Sequence, residues 1–593
     1  MNRPPRHRRN LRPNCVLGIA LLATVCAGPA CASSASTAGP LTVDPPTLHC
    51  IGVRWVVSGD ANNNAAVRIE FRRTGKSGWR RGMDLFRVET AAMRGESLSR
   101  GAQLFAGSVF DLIEDAEYEL RLTLSDPDGG GDTRRLKART WAEPRPPAPR
   151  RVLHVGPGAA PGDGTRRRPF GGIARANKAA RPGDLILVHA GVYPGQVAFT
   201  RSGTADAPIV WRGAGDGEGV FEGPPGRCCA HASGLKHVFF ERLAFRKCER
   251  AMSLQDSSYV TVRRCRFTDL GSGIGAGGRQ ERLFIADCVF KGRRTWPRQG
   301  NDSKMGEHRG VELSGIGHVI AYNRISGFRD GVDTRPGFPV RGIDIHNNDI
   351  SECTDDGIEL DYSQSNCGAV RNRITNCFMG VSFQPSLGGP NYAIRNAMYN
   401  LGLETFKLHV SPPGRISSGG VLLHNTAVRT GAPLRVWAGG TPVHHYFLRN
   451  NLFVARNADR AMDMQCRADF PDWDYDLYAG GPFRIFAKYR ERVYATREAF
   501  AKATGQEAHG TVTPAVKGLF ASKVLPPTGR NRQFLPAVND LRLAPGSEAV
   551  DKGQALPNVN DGFKGRAPDV GAFELGEPLP QYGPRAVRAD RRR

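Results

Sequence analysis

The sequence lacks the short motifs of several common enzyme classes. It contains no phosphate-binding loop, no serine nucleophile elbow and no HExxH zinc motif. Its 13 cysteines follow no zinc-binding spacing, and it has no apolar run long enough to cross a bilayer. These absences argue against a P-loop enzyme, an α/β-hydrolase, a zinc protease and a membrane-spanning protein.

The chain is strongly basic, with a formal net charge of +25 over 593 residues. This length is too great for one ordinary core, so at least two domains are expected. A basic balance suits a polyanionic partner: an acidic polysaccharide, a nucleic acid or an anionic surface. The arginines are scattered along the chain, however, so general solubility explains the charge equally well.

Residues 1–32 have the pattern of a secretory signal peptide. A basic segment, Arg3–Arg12, precedes the apolar run Val16–Val25 and the small residues Ala30–Ala32. The pattern predicts a mature chain that begins near Ser33, is secreted or periplasmic and has no transmembrane segment. Export permits disulfides, but stacking inside a repeat explains the remaining cysteines as well.

Residues 41–142 form a first unit that alternates apolar and polar residues, as half-buried β-strands do. The clearest runs are Val53–Val56, Ala66–Phe71 and Tyr118–Leu124. The unit resembles a fibronectin type III domain, which implies that Trp55 lies in the core and that Tyr118 forms a tyrosine corner. A proline-rich linker over residues 143–150 follows.

A repeat begins after this linker. A three-residue pattern, in which Asn or Cys is followed by any residue and then by an apolar residue, occurs eight times. It begins at Cys265, Cys288, Asn323, Asn348, Asn372, Asn396, Asn425 and Asn451. Most intervals lie in the twenties, which suits one β-helix coil of three short strands. Asn at one position of each coil predicts a ladder of stacked, hydrogen-bonded amides.

A second column follows the ladder residues by about eight positions. Its apolar members are predicted to point inward: Ile274, Val311, Val332, Ile358, Val381 and Phe406. Because strand side chains alternate, the residues after them must point outward: Glu312, Asp333, Glu359, Ser382 and Lys407. Two residues further on lie Arg335, Asp361, Gln384 and His409. Adjacent strands are about 4.8 Å apart, so these groups are predicted to line one groove.

The ends of this region carry a family resemblance. Asp163-Gly-Thr165, Arg181-Pro-Gly-Asp184, Gly191-Val-Tyr193, Asn539–Leu543 and Asp569–Glu574 resemble the opening and closing segments of secreted β-helix polysaccharide lyases of the chondroitinase B and alginate lyase type. The resemblance implies an all-β protein: a right-handed parallel β-helix over 151–580, with an N-terminal capping helix, preceded by a small fibronectin type III-like β-sandwich. A basic C-terminal tail over 581–593 completes the expected organisation.

The resemblance also implies chemistry for the groove. Lyases of this fold take the proton beside a uronate carboxylate with a basic residue, and an arginine or a bound Ca²⁺ neutralises that carboxylate. Lys407 is assigned as the base and Arg335 as the neutralising group, with Asp333, Glu359 and His409 as further catalytic candidates. Gln384 and Asp356 are assigned to substrate binding. The predicted Ca²⁺ ligands are Glu312, Asp333, Glu359 and Asp361.

Several functions remain open from the sequence. The expected partner is an acidic polysaccharide, and no nucleic acid is expected. A C5-epimerase begins with the same proton abstraction as a lyase. A glycoside hydrolase could use Asp333 and Glu359, one strand apart, as paired carboxylates. A glycan-binding or surface protein without activity is the third class, although the mixed charges of the groove argue mildly against it.

Overall fold

The computed structural model describes residues 34–586 apart from 93–97, 99–101, 301, 303–304, 411–415, 438–440 and 537–539. The predicted signal peptide and residues 587–593 of the predicted tail lie outside the described residues. No helix in the described part of the chain has both the length and the apolar character needed to cross a membrane.

The first unit consists of two four-stranded antiparallel sheets, in the orders β1-β2-β6-β5 and β4-β3-β7-β8. Trp55 is buried between them, and Tyr118 Oη accepts a hydrogen bond of 2.9 Å from the backbone N–H of Ile113. The predicted small β-sandwich is confirmed, while its assignment to the fibronectin type III class stays a prediction. The strands are β1 Thr37–Val43, β2 Ile51–Ser58, β3 Ala66–Arg73, β4 Arg80–Arg81, β5 Phe86–Arg87, β6 Ala102–Val109, β7 Glu117–Ser125 and β8 Asp132–Arg139.

Residues 151–513 contain the predicted parallel β-helix, in which most strands pair in parallel with their counterparts in the next coil. Its first half contains the strands β9 Arg151–Gly156, β10 Phe170–Gly171, β11 Asp184–Val188, β12 Gly191–Pro194, β13 Val197–Ala198, β14 Ile209–Gly213, β15 Gly219–Glu222, β16 Cys228–His231, β17 Lys236–Glu241, β18 Ala244–Ser253, β19 Ser258–Arg263, β20 Arg266–Gly275, β21 Phe284–Ala286, β22 Val289–Gly292, β23 Arg309–Leu313, β24 Val319–Ala321, β25 Arg324–Ser326 and β26 Asp330–Thr334.

The second half of the β-helix begins at residue 344 and ends at residue 513. Its strands are β27 Asp344–His346, β28 Asp349–Ser351, β29 Asp356–Glu359, β30 Cys367–Val370, β31 Arg373–Ser382, β32 Leu387–Ile394, β33 Ala397–Lys407, β34 Ser417–Leu423, β35 Thr426–Thr430, β36 Leu434–Val436, β37 Val443–His444, β38 Phe447–Arg449, β39 Leu452–Arg456, β40 Arg460–Met464, β41 Ala468–Asp469, β42 Asp472–Asp474, β43 Leu477–Gly481, β44 Ile485–Tyr489, β45 Arg492–Tyr494 and β46 Thr511–Thr513.

Two short α-helices accompany the strands. Helix α1, Ile173–Ala179, buries Ile173 and Ala176 in the same apolar core as β9, at the N-terminal end of the β-helix. This position agrees with the predicted capping helix. Helix α2, Arg497–Thr504, buries Phe500 against β44 and β45 near the other end.

The asparagine ladder is present as predicted. Asn323, Asn348, Asn372, Asn396, Asn425 and Asn451 are fully buried. Each Nδ2 donates to the Oδ1 of the next ladder residue at 2.9–3.0 Å, and each also donates to a backbone carbonyl of the preceding coil. Asp476 ends the series by accepting from Asn451 at 2.9 Å. The ladder fixes the register that the candidate site depends on.

We expect Asn372→Ala to lower the free energy of unfolding by about 1–3 kcal/mol, because it leaves buried partners in both neighbouring coils unpaired. The amide of Asn372 donates to Ile345 O at 2.8 Å and accepts from Asn348 at 3.0 Å. Urea unfolding measures the change, with the exposed Asn531→Ala as the matched control. Equal stability of the two variants would contradict a structural role for the ladder.

The first unit docks directly on the β-helix. Asp111 forms a bidentate ion pair with Arg371 at 2.7 Å, and the ring of Phe110 packs edge-on against Tyr392. Asn366 Nδ2 donates to Asp44 at 2.7 Å. These contacts involve the sheet that contains β30 and β32, whereas the candidate site lies on strands of the other long sheet.

Candidate active site

The predicted column of outward groups lies side by side in the structure. Glu312 pairs in register with Asp333, and Glu359 pairs with Ser382, which in turn pairs with Lys407. Val332 pairs with Ile358, which places Asp333 beside Glu359. The apolar residues that precede these positions are fully buried in the central core. The alternation deduced from the sequence therefore gives the correct register of β23, β26, β29, β31 and β33.

The first two carboxylates of the column, Glu312 and Asp333, form ion pairs with arginines. Glu312 accepts from Arg335 at 2.8 Å, and Asp333 is in ion-pair contact with Arg309. Burial raises the pKa of Asp333, and the Arg309 guanidinium partly opposes this shift. Glu312 and Asp333 are therefore already neutralised by protein cations, which weakens their assignment as Ca²⁺ ligands.

Three other carboxylates converge beside this pair. Asp330, Asp356 and Glu359 each place one oxygen within 4.8 Å of the other two. Burial raises the pKa of Asp330 and Glu359 well above the ordinary carboxyl value, and the neighbouring carboxylates raise both further. Asp356 Oδ1 is buried without a hydrogen-bond partner in the described structure. A buried cluster of hard oxygen donors of this kind suits a divalent cation.

Lys407 lies against this cluster. Its Nζ donates to Asp356 Oδ2 at 2.8 Å, and the residue is 8% exposed. Burial lowers the pKa of the amine, but Asp356, Asp355 and Asp361 raise it, and the net shift is well above the ordinary lysine value. In the absence of another positive charge, Lys407 is therefore protonated at neutral pH.

Asp361, which follows β29, forms a hydrogen bond with Gln384, which follows β31 in the next coil. Asp361 accepts from Ser382 Oγ and from the backbone N–H of Gln384, each at 2.6 Å. Burial raises the pKa of Asp361 to about 7, while Lys407 opposes that shift. Gln384 thus contributes its backbone to holding Asp361.

His409 lies further along the groove and contacts a different acid. Its Nδ1 is 3.3 Å from Glu404 Oε2, and Glu404 Oε1 accepts from the backbone N–H of Trp437 at 2.5 Å. Trp437 is 45% exposed at this end of the face. The structure therefore groups His409 with Glu404 and not with the carboxylates around Lys407.

Sequence reasoning missed two members of the site. Arg309 begins β23 at a position that alternation does not assign to the outward column, yet its side chain reaches Asp333 in the next coil. Asp330 was not assigned a role, and Asp356 was assigned to substrate instead of metal. The signal that was available is Asp330-Gly-Val-Asp333 aligned with Asp356-Gly-Ile-Glu359, which repeats an acid at the start of each strand.

Comparison with known proteins agrees with the fold. The family described as "Right handed beta helix region" matches residues 228–398. No curated protein sequence matches the chain. Pectate lyase Pel9A is 16% identical, with a TM-score of 0.42 over 72% of this chain and 97% of the other.

Two further solved structures have lower TM-scores. An alginate lyase from Paenibacillus sp. str. FPU-7 is 15% identical, with a TM-score of 0.32 over 54% of this chain and 98% of the other. A family 28 exopolygalacturonase from Yersinia enterocolitica is 10% identical, with a TM-score of 0.27. The match covers 81% of this chain and 96% of the other. The fold therefore rests on the strand pairing and on the family match, and the chemistry must be argued from the site.

Proposed function

We propose that this chain is an exported, calcium-dependent polysaccharide lyase that acts on a uronate-containing polymer. The observation that carries the proposal is the contact between Lys407 Nζ and Asp356 Oδ2, which joins an amine to the buried cluster of Asp330, Asp356 and Glu359. A lyase needs a base and a positive charge beside the same substrate carboxylate. At this place in the groove, Lys407 is the candidate base, and the three clustered carboxylates are candidate ligands for a cation that would supply the positive charge.

The three clustered carboxylates fit a calcium ion better than the set predicted from the sequence. Each offers an oxygen, and Asp356 Oδ1 is buried without a hydrogen-bond partner in the described structure. When bound there, Ca²⁺ would neutralise the substrate carboxylate and make the adjacent proton more acidic. Of the predicted ligands, only Glu359 belongs to this cluster.

The chain's own residues perform the proton transfer. Neutral Lys407 takes the proton from the carbon next to the uronate carboxylate, and the electron pair forms the new double bond to the neighbouring ring carbon. The bond between that ring carbon and the glycosidic oxygen breaks with its electrons on the oxygen, which takes a proton from solvent water. The acids around Lys407 favour its protonated form. Compensation of their charge lowers the pKa of the amine, so the base and the cation site depend on each other.

Arg335 supports an acidic substrate. It is about half exposed at the edge of the groove, where it pairs with Glu312. An exposed guanidinium offers several donors in a plane that matches a carboxylate. Arg335 is therefore assigned to bind a uronate carboxylate near the cleavage point.

A glycoside hydrolase is the second candidate, and the raised carboxyl pKa values favour it. Asp361 has a pKa of about 7, and burial together with the neighbouring carboxylates raises the pKa of Glu359 well above the ordinary carboxyl value. Both groups therefore suit a general acid at neutral pH. The pair suggested by the sequence, Asp333 and Glu359, is weakened because Arg309 already engages Asp333.

A polysaccharide panel distinguishes these functions. We expect incubation of the mature chain with uronate polymers to produce the ultraviolet absorbance of an unsaturated uronate. New reducing ends without that absorbance would indicate a hydrolase. Changed sugar configuration without chain cleavage would indicate an epimerase, and binding without any product a glycan-binding protein.

A further inference from the structure

A second pocket lies against β31 and β33, the strands that also carry Ser382 and Lys407 of the candidate active site. It has a volume of about 280 Å³, and its lining includes Trp296, Arg298, Phe378, Gly402 and Arg530. None of these residues belongs to the groove described above. The pocket therefore needs an explanation of its own.

Two segments outside the repeating coils form its walls. One is the segment 293–300 after β22, and the other is the C-terminal segment 525–534. Trp296 Nε1 donates to Arg532 O at 3.1 Å, and Asn400 Nδ2 donates to the same oxygen at 2.6 Å. These bonds fix both segments to each other and to β33, so the pocket is built into the fold.

The lining of the pocket includes a cation–π pair, in which a guanidinium group stacks on an aromatic ring. Arg298 lies over the ring of Phe378, 4.6 Å from its centroid. A Cβ atom at Gly402 would lie 2.7 Å from the Phe378 ring, so the ring occupies this place only beside glycine. The ring holds the Arg298 side chain in position, which reduces the entropy that binding would cost.

The charge of the pocket is positive and uncompensated. Arg298 and Arg530 are exposed, and neither forms an ion pair with any residue that the structure describes. The described lining contains no carboxylate. This differs from the groove, where Arg309 and Arg335 are engaged by acids. Two guanidinium groups without an acidic partner match the carboxylates of an anionic sugar.

We propose that this pocket is a distal subsite that binds a uronate residue of the same polymer that is cleaved at Lys407. The inference rests on the proposed function. Phe378 lies four residues before Ser382, the register neighbour of Lys407, which corresponds to about 13 Å along an extended strand. Only an oligosaccharide long enough to span this separation reaches both places, so the pocket selects for longer substrates.

The test is a binding measurement in the full-length Lys407→Ala variant, which removes the proposed base. Calorimetry with oligogalacturonates and with alginate oligosaccharides, each as a disaccharide and as a longer oligomer, gives the affinities. We expect Arg298→Ala with Arg530→Ala to weaken binding of the longer oligomer of one series by about tenfold or more, and binding of its disaccharide much less. The matched control is Arg166→Ala, which replaces an exposed arginine in the loop between β9 and β10.

The outcomes separate the subsite from the proposed function. Unchanged affinity for the longer oligomer in the double variant, equal losses for both lengths, or no binding of either series by the parent variant overturns the subsite. Lys407-dependent cleavage can still stand in each case. If the wild-type chain cleaves nothing but the arginine-dependent binding is found, the pocket stands as a binding site for an anionic sugar, and the lyase proposal fails together with the role of the pocket as a subsite of a lyase. Thermal melting confirms that each variant is folded.

Discussion

Replacing Lys407 by alanine is expected to reduce turnover by about 10²–10⁴-fold, the range that a positioned general base contributes. Lys407 is the amine in contact with the acidic cluster, through its bond to Asp356. The substitution removes the group that accepts the substrate proton but leaves the oxygens of Asp330, Asp356 and Glu359 in place. Calcium affinity, measured by calorimetry, should therefore be retained while formation of the unsaturated product is lost.

The matched control is Lys488→Ala. Lys488 pairs in register with Asp463 on a later coil of the same β-helix, away from the cluster. It should turn over substrate at the wild-type rate. A Lys407→Ala variant that is as active as this control would show that the base is another group.

Removing the metal is expected to have an effect of similar size. Chelation should abolish turnover, because the carboxylates that raise the pKa of Lys407 then lack a compensating charge and the amine stays protonated. Glu359→Gln should weaken calcium affinity by at least about tenfold, because it removes one anionic ligand of the cluster. Added Ca²⁺ should restore much of the lost turnover in this variant.

Glu312→Gln is the control for the metal prediction. Glu312 lies on the same column but is held by Arg335, outside the cluster. Its substitution should leave calcium affinity unchanged. If instead Glu359→Gln stops turnover at every calcium concentration and chelation has no effect, a hydrolase that uses Glu359 as acid or nucleophile is the better interpretation.

The sequence predicted the β-helix and its register well because the β-helix is built from a repeat. Strand alternation has a period of two, and the asparagine positions mark successive coils, so Asp333, Glu359, Ser382 and Lys407 could be aligned without any long-range information. The structure has this register, and it also has the ladder of buried amides. The β-sandwich pattern around Trp55 and Tyr118 is local in the same way.

The partners of each charged group could not be predicted. Alignment gives the strand on which a carboxylate lies, but the direction and reach of its side chain depend on every neighbour. Arg309 crosses to Asp333, and Asp330 joins Asp356 and Glu359, although the sequence favoured a straight column of ligands. The docking of the first unit through Asp111 and Arg371 depends on the tertiary fold too.

The sequence by itself thus determined the parallel β-helix, its register and the strands that carry acidic and basic residues. Only the tertiary structure decided which carboxylates pair closely with arginine, which of them converge in one buried cluster, and where a second basic pocket forms. The physical reason is distance along the chain. Register follows from short repeats, whereas contacts such as Trp296 with Arg532 join segments 236 residues apart.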